Sequence, residues 1–156
     1  MRLPHFFQII NQIDLKRATF KKLDESKKEI LIELMIQYFE EVAPEKVTLT
    51  KAGKYLDYPY LDQYWTDKNR SIFEITVDED MIGFAMVNDW VIYKKYNANR
   101  SIAEFYIHPE WRRKSIGSEI AVALFSRFKG KWEIRQSADN KVAIKFWRRT
   151  IEQFTK

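Results

Sequence analysis

Cysteine is absent from this chain of 156 residues, which removes a disulfide framework, a thiolate metal site and a cysteine nucleophile together. Glycine is nearly as scarce: Gly53, Gly83, Gly117 and Gly130 are the only four, no two of them within ten positions. Neither the dinucleotide pattern G-x-G-x-x-G nor the phosphate-cradling G-x-x-x-x-G-K-[ST] can be written from them. The four prolines (Pro4, Pro44, Pro59, Pro109) are scattered singly and no repeat or low-complexity linker is present. Nothing therefore divides the chain, and residues 1–156 read as one domain. Long apolar runs are missing too, since none approaches the ~18 residues a membrane span needs. The start, MRLPHFFQIINQID, is interrupted by Pro4, His5 and Asn11 and makes a poor signal peptide. A soluble cytoplasmic protein with no membrane association is expected.

What is present suits a packed interior. Hydrophobic residues make up 46% and aromatics 15%, against 27 Lys and Arg and 22 Asp and Glu, for a net charge of +5. That balance accommodates an anionic partner without identifying one, and it is also common among ordinary soluble proteins.

Residues 1–13 form an extension of uncertain form, after which KRATF (16–20) reads as a short strand. Ser26-Lys27-Lys28-Glu29 has the spacing of a capping box, and Ile30, Leu31, Leu34, Met35, Tyr38 and Val42 follow at helical spacing, with Pro44 after the stop. The tyrosine-rich stretch KAGKYLDYPYLDQYWTDKNR (51–70) is expected as loop with a helical turn around Leu61 to Trp65. SIFEITV and MIGFAMVND, separated by the polar Asp78-Glu79-Asp80, form an antiparallel hairpin, and SIAEFYI (101–107) is a further strand. A helix opens near Ser115, carries Ile116, Ile120, Leu124 and Phe128 on one stripe, and stops at Gly130 as its C′ residue. KWEIRQS is a strand, and Asp139 or Asn140 caps a last helix that turns Ala143, Phe146, Trp147 and Thr150 inward. This order predicts an α/β or α+β domain with a mixed sheet.

The turn between SIAEFYI and its following helix has the parts of an anion site. The first N–H groups of a helix lack intrahelical acceptors and carry about half a positive charge. Arg112, Arg113 and Lys114 add to that field, and Gly117 would let a ligand approach the backbone, so a phosphate or pyrophosphate is the natural guest. The alternative is a solvated basic turn with a glycine fitted for packing.

Arg112-Arg113-Lys114-Ser115-Ile116-Gly117 resembles the coenzyme-A pyrophosphate loop of the GCN5-related N-acetyltransferases (GNAT), [QR]-x-x-G-x-[GA], in register. Asn140 to Trp147 resembles that family's N-x-x-A-x-x-F-[YW] helix, in the correct order. MIGFAMV and YPYLDQYW are similar to a bacterial branch of predicted acetyltransferases, and the likeness spans most of residues 16 to 154. Three positions depart from the pattern. Ser115 stands where glycine is usual. Trp147 stands where many members carry a tyrosine thought to protonate the leaving thiolate, a task for which an indole N–H is too weak an acid. The sequence stops at Lys156, before the strand pair with which the family normally continues. Either HFFQIINQI substitutes, a partner chain in a homodimer contributes, or that part of the fold is absent.

The resemblance implies a mainly antiparallel twisted sheet flanked by helices, and acetyl transfer from acetyl-CoA to a primary amine of a small molecule or peptide by direct attack, with no metal. It implies that backbone N–H groups from Arg113 to Ser118, with the Arg112 and Lys114 side chains, hold the pyrophosphate. Phe105 to Ile107 would pair with the pantetheine arm, an N–H near Ile107 would polarise the thioester carbonyl, and Asn140 would reach the pantetheine. For the base, Glu104 is the first candidate, and Tyr106, on the same strand face, is a candidate acid. Glu104 is equally readable as the structural partner of a neighbouring cation, and His108 before Pro109 as a turn residue. Tyr55, Tyr58, Tyr60, Tyr64 and Trp65, with Asp57 and Asp62, suit either a cationic amine acceptor or core packing.

Two rival readings remain. Trp111-Arg112-Arg113-Lys114 and Phe146-Trp147-Arg148-Arg149 mix rings and cations as a nucleic-acid-binding module does, although the interspersed acidic residues weaken that case. A CoA-binding protein without catalysis would also fit Trp147.

Overall fold

A computed structural model describes residues 18–156. The extension 1–13 and the first two residues of KRATF lie outside the described residues. Seven strands and four helices follow in chain order: β1 (Thr19–Lys22), α1 (Lys28–Val42), β2 (Val47–Thr50), β3 (Gly53–Leu56), α2 (Gln63–Thr66), β4 (Ser71–Val77), β5 (Asp80–Asn88), β6 (Arg100–Ile107), α3 (Ile116–Arg127), β7 (Trp132–Ile134) and α4 (Lys141–Thr155). Five strands form one sheet in the order β1-β4-β5-β6-β7, antiparallel except for the parallel pair β6–β7. This is the mixed, mainly antiparallel sheet with flanking helices that the sequence predicts.

Helices cover both faces, so the central strands are apolar on both sides. On one face α1 sets Leu31, Leu34, Met35 and Phe39 against Ile72, Phe84, Met86 and Tyr106. Across the sheet α3 sets Ile116, Ile120 and Leu124 against Phe73, Ile75, Ala85 and Ile107. Ala121, Phe125, Ile102 and Trp147 continue that layer under α4. Fully burying one such side chain contributes about 1.5–3 kcal/mol.

Two bulges set which residues face which layer. Ile75 pairs with Gly83 but Thr76 pairs with Met81, so Ile82 is an extra residue. Met86 pairs with Glu104 but Val87 pairs with Ile102, so Ala103 is another. A bulge breaks strict alternation. Ile102 accordingly joins the α4 layer, whereas Ala103 packs against the α1 layer.

Several local expectations are corrected. The capping box at Ser26 and Glu29 does not form; Asp24 accepts the Ser26 N–H at 3.0 Å and opens a 3-10 turn (Glu25–Lys27) that leads into α1. A short-range bond of this kind competes with a helix cap. Ile30 and Val42 on α1 are exposed and Phe39 is buried instead, which narrows the stripe to positions three and four apart. Residues 47–56, of which 51–56 are expected as loop, form the separate hairpin β2–β3. Its two-residue link Lys51-Ala52 carries none of the usual Asn-Gly signals, and only Gly53, at φ 120°, marks it. Gly130 is not the C′ residue of α3, because Phe128 is the C-cap. Gly130 sits at φ 127°, where a Cβ would lie 2.4 Å from Asn99 Oδ1, and the same oxygen accepts the Lys131 N–H at 2.9 Å to start β7. Among the described residues β7 is an edge strand and no strand follows α4; no helix is long and apolar enough to cross a membrane.

A Cβ at Gly83 would lie 2.2 Å from the Tyr106 carbonyl oxygen on the neighbouring strand. Gly83→Ala is therefore expected to cost about 3 kcal/mol, read as a fall in Tm of about 6–12 °C by calorimetry.

Candidate active site

The parallel ladder between β6 and β7 is short. Arg100 pairs with Trp132, Ser101 with Glu133 and Ile102 with Ile134, and there it ends. Beyond it, β6 continues for five residues while the chain after β7 departs as Arg135, Gln136 and Ser137. A cleft of about 610 Å³ lies at this divergence, bordered by Ile102, Ala103 and Glu104 on one side and Arg135 to Ser137 on the other. Tyr58, Tyr60, Tyr64, Arg70, Asn88 and Trp90 complete its wall.

The free edge of β6 can be read from one hydrogen bond. His108 N–H donates to the Ile82 carbonyl at 2.7 Å. Bonded and non-bonded pairs alternate in an antiparallel ladder. Glu104 and Tyr106 thus turn their backbone groups toward β5, and Phe105 and Ile107 turn theirs to the side that β7 has left. The Ile107 carbonyl on that side accepts Arg112 Nε at 2.7 Å.

Glu104 is half-buried in a shell of tyrosines. Tyr58 Oη donates to Glu104 Oε1 at 3.4 Å, and Tyr38 bonds the same carboxylate. Tyr64 Oη, hydrogen-bonded to Tyr58, accepts Asn88 Nδ2 at 2.9 Å, so a polar chain runs from the end of β5 to Glu104. Burial pushes the Glu104 carboxyl above its ordinary value; the bonds from Tyr38 and Tyr58 and the charges of Lys46 and Arg135 oppose the shift without cancelling it. Burial likewise raises Tyr58 and Tyr38 far above an ordinary phenol, which makes them hydrogen-bond donors and poor acids.

Tyr106 shares the Glu104 face, as alternation predicts, but it is buried between Tyr38 and Phe84 and points its hydroxyl at Gln37 Oε1, 3.5 Å away. It does not border the cleft. Trp147 is buried, 5.2 Å from the Phe105 ring centroid and edge-on to it. That burial removes the stacking platform a nucleic-acid reading of Phe146-Trp147-Arg148-Arg149 requires. His108 is a turn residue, its Nδ1 accepting the Glu110 N–H. The tyrosine-rich cluster divides: Tyr58, Tyr60 and Tyr64 border the cleft, Tyr55 is exposed on β3, and Trp65 Nε1 donates to the Leu23 carbonyl in the core. Asp62 pairs with Lys28.

The cationic turn is built by two residues in the left-handed region, Arg113 at φ 61° and Ser115 at φ 62°. Ser115 makes no side-chain cap, and Ser118 Oγ donates to the Ser115 carbonyl at 3.1 Å. The N–H groups of Ile116, Gly117 and Ser118 precede the first intrahelical bond, Glu119 N–H to Ser115. An uncapped helix start beside Arg113 and Lys114 fits a pyrophosphate. Arg112 does not join that cradle. It bonds the Ile107 carbonyl and, through Nη2, both Glu41 oxygens at 3.0 Å, and it lies over the Tyr106 ring. At Gly117 a Cβ would meet Phe146 at 3.2 Å and Ile107 at 3.6 Å, so the glycine serves close packing of α3, one of the two reasons the sequence offers for it. Ile116 is buried under the helix. Asn140 caps α4 through Oδ1, which accepts the Ala143 N–H at 3.1 Å. Among the described residues no group of three or more His, Cys, Asp or Glu is arranged to hold a metal ion.

Sequence reasoning missed Tyr38, Arg70, Asn88, Trp90 and Arg135. Arg135 follows directly on β7, and the carboxyl ends of parallel strands are where ligand-binding residues gather; for Arg70 and Asn88 no local signal existed.

The family described as acetyltransferase (GNAT) matches residues 30–151. Among solved structures, the fold is similar to an aminoglycoside acetyltransferase from an uncultured soil metagenomic sample, in complex with sisomicin (14% identity, 85% of this chain and 86% of that one, TM-score 0.61). It is also similar to AAC(6')-Iy in complex with the bisubstrate analogue CoA-S-monomethyl-acetylneamine (12%, 86% and 89%, TM-score 0.65). A third is a ribosomal-protein-alanine N-acetyltransferase from Brucella melitensis biovar Abortus 2308 (14%, 85% and 89%, TM-score 0.60). No curated protein sequence matches the chain.

Because Ser115 holds a left-handed conformation that costs a side-chain-bearing residue about 1 kcal/mol, Ser115→Gly is expected to raise Tm by about 2–4 °C in a thermal melt.

Proposed function

The chain belongs to the acetyltransferase (GNAT) family, and on that premise we propose that it transfers an acetyl group from acetyl-CoA to a primary amine by direct attack, with Glu104 accepting the amine's proton. The observation that carries this reading is the position of Glu104: a carboxylate of raised proton affinity, in a cleft, on the strand whose next residues present a free backbone edge. A base is most effective when its proton affinity is lifted toward working pH.

The N–H groups of Ile116, Gly117 and Ser118, with Arg113 and Lys114, would hold the pyrophosphate. Phe105 would bond the pantetheine arm along the open edge of β6, and the N–H of Ile107, whose carbonyl Arg112 holds, would bond the thioester carbonyl and stabilise the developing oxyanion. The Asn140 side-chain amide, fixed by its cap, would approach the same arm. Arg112 is a positioning residue, tying the turn to Ile107 and to α1. Tyr58 and Tyr38 orient the Glu104 carboxylate toward the amine. As the neutral amine forms the new C–N bond, nitrogen loses a proton to Glu104, the C–S bond breaks, and the proton held by Glu104 passes through solvent in the open cleft to the departing thiolate. Neither Tyr106 nor Trp147 is assigned a proton.

The buried Trp147 and the Tyr106 hydroxyl held at Gln37 favour a second reading, a protein that binds CoA without transferring its acyl group.

One experiment separates the two. Acetyl-CoA is expected to raise Tm for both the wild type and Glu104→Gln, while thiol release in the variant falls about 10²- to 10⁴-fold. In the wild type kcat/KM should rise with pH through a midpoint above the ordinary glutamate value of about 4.3, and the variant should lack that limb. The sign of the stability effect is opposite. The folded carboxyl keeps its proton to higher pH than the unfolded one, so the wild type loses stability as pH rises between about 4.3 and the raised folded value. Glu104→Gln escapes that loss and should be the more stable protein at neutral pH. A Tm shift without turnover of any amine would support the non-catalytic reading.

A further inference from the structure

Besides Glu104, the charged residues bordering the cleft are Arg70 and Arg135. They flank different strands, Arg70 immediately before β4 and Arg135 immediately after β7. Arg70 Nε donates to Asp67 Oδ2 at 3.3 Å, and Arg135 Nε forms an ion pair with Glu133 Oε1 at 3.0 Å. The supports are themselves fixed. The Arg70 guanidinium lies 5.6 Å from the centroid of the Tyr64 ring, whose hydroxyl is held by Asn88. Glu133 is buried and also accepts the N–H groups of Ile92 and Tyr93. Among the described residues no hydrogen bond engages the terminal nitrogens of either guanidinium. Two guanidiniums, each paired through Nε and each with unengaged terminal N–H groups, are suited to a planar anion.

We propose that the acceptor is a small aminocarboxylate: its amine meets Glu104, and its carboxylate is received by Arg135 and Arg70. This rests on the transfer reading above and narrows it. The volume of about 610 Å³ admits a molecule of that size. A polycationic amine, the kind the structurally similar aminoglycoside enzymes bind, would bring several positive charges against two guanidiniums. An aminocarboxylate complements both signs of charge. Asp67 and Glu133 reduce the net field of the arginines, but they leave the forked N–H groups, and hydrogen bonds there are what discriminate a carboxylate from its ester.

The test compares α-amino acids, the methyl ester of each, spermidine and sisomicin as acceptors of acetyl-CoA. The expected result is kcat/KM for the best acid at least about tenfold above its ester, the factor that a charge-assisted hydrogen bond carries, with most of the difference in KM. Arg135→Gln and Arg70→Gln should each bring the acid-to-ester ratio toward unity. Equal rates for acid and ester in the wild type, or spermidine or sisomicin exceeding every acid, overturn the assignment while leaving acetyl transfer intact. If no amine is turned over, calorimetric titration of the CoA-loaded protein decides separately. Tighter binding of the acid than of its ester upholds the anion site and removes the transfer reading; equal or no binding removes the anion site.

Discussion

Ile102 and Ile134 are the last residues that β6 and β7 share as a ladder, and the divergence that begins there governs the rest of the site. A strand that lost its neighbour inside a core would strand N–H and C=O groups without partners, which is costly unless something else bonds them. Here one such group, the Ile107 carbonyl, is taken by Arg112, and those of Phe105 lie toward the opening. The same divergence creates the cleft. Both surfaces that the proposed reaction uses, a backbone edge for the donor and a concavity for the acceptor, thus arise from one interrupted pairing.

The Ala103 bulge completes that arrangement. With strict alternation, Ile102 and Glu104 would share a face, and either an isoleucine would leave the α4 layer or a carboxylate would enter it. The extra residue lets Ile102 stay in the apolar layer while Glu104 turns to the tyrosines of the other side. Its raised proton affinity is then a consequence of packing: the tyrosines that donate to the carboxylate also exclude water from it. Arg112 acts across the same strand, its guanidinium joining Ile107, Glu41 and the Tyr106 ring. Its pair with Glu41 is exposed and worth little by itself; the bond to the strand carbonyl is what keeps the cationic turn beside the open edge.

Much of the fold was legible because its central elements follow simple periods. β4, β5, β6, α3 and α4 all fall within a few residues of the stretches their patterns mark, and the cationic turn stands where its spacing places it. The hairpin β2–β3 was not legible, since Lys51-Ala52 gives no turn signal and Leu49 is exposed. For the site, alternation correctly put Glu104 and Tyr106 on one face. It could not tell that one hydroxyl is buried against Gln37 while the neighbouring carboxylate opens on the cleft. Arg112 looked like a phosphate ligand because charge is visible in a sequence and a 2.7 Å bond to a carbonyl five residues earlier is not. Arg70, Asn88 and Arg135 meet only through the sheet order, so no local pattern could have joined them.

The central claim is that the edge of β6 left open after Ile102 receives the donor. Amide hydrogen exchange at single-residue resolution, with and without acetyl-CoA, addresses it directly. The N–H groups of Phe105 and Ile107 face the gap, whereas those of Glu104 and Tyr106 are bonded within the sheet. The account predicts that acetyl-CoA slows exchange at Phe105 and Ile107 markedly, together with Ile116 to Ser118. Slowing at the helix start with no change at Phe105 and Ile107 would contradict it.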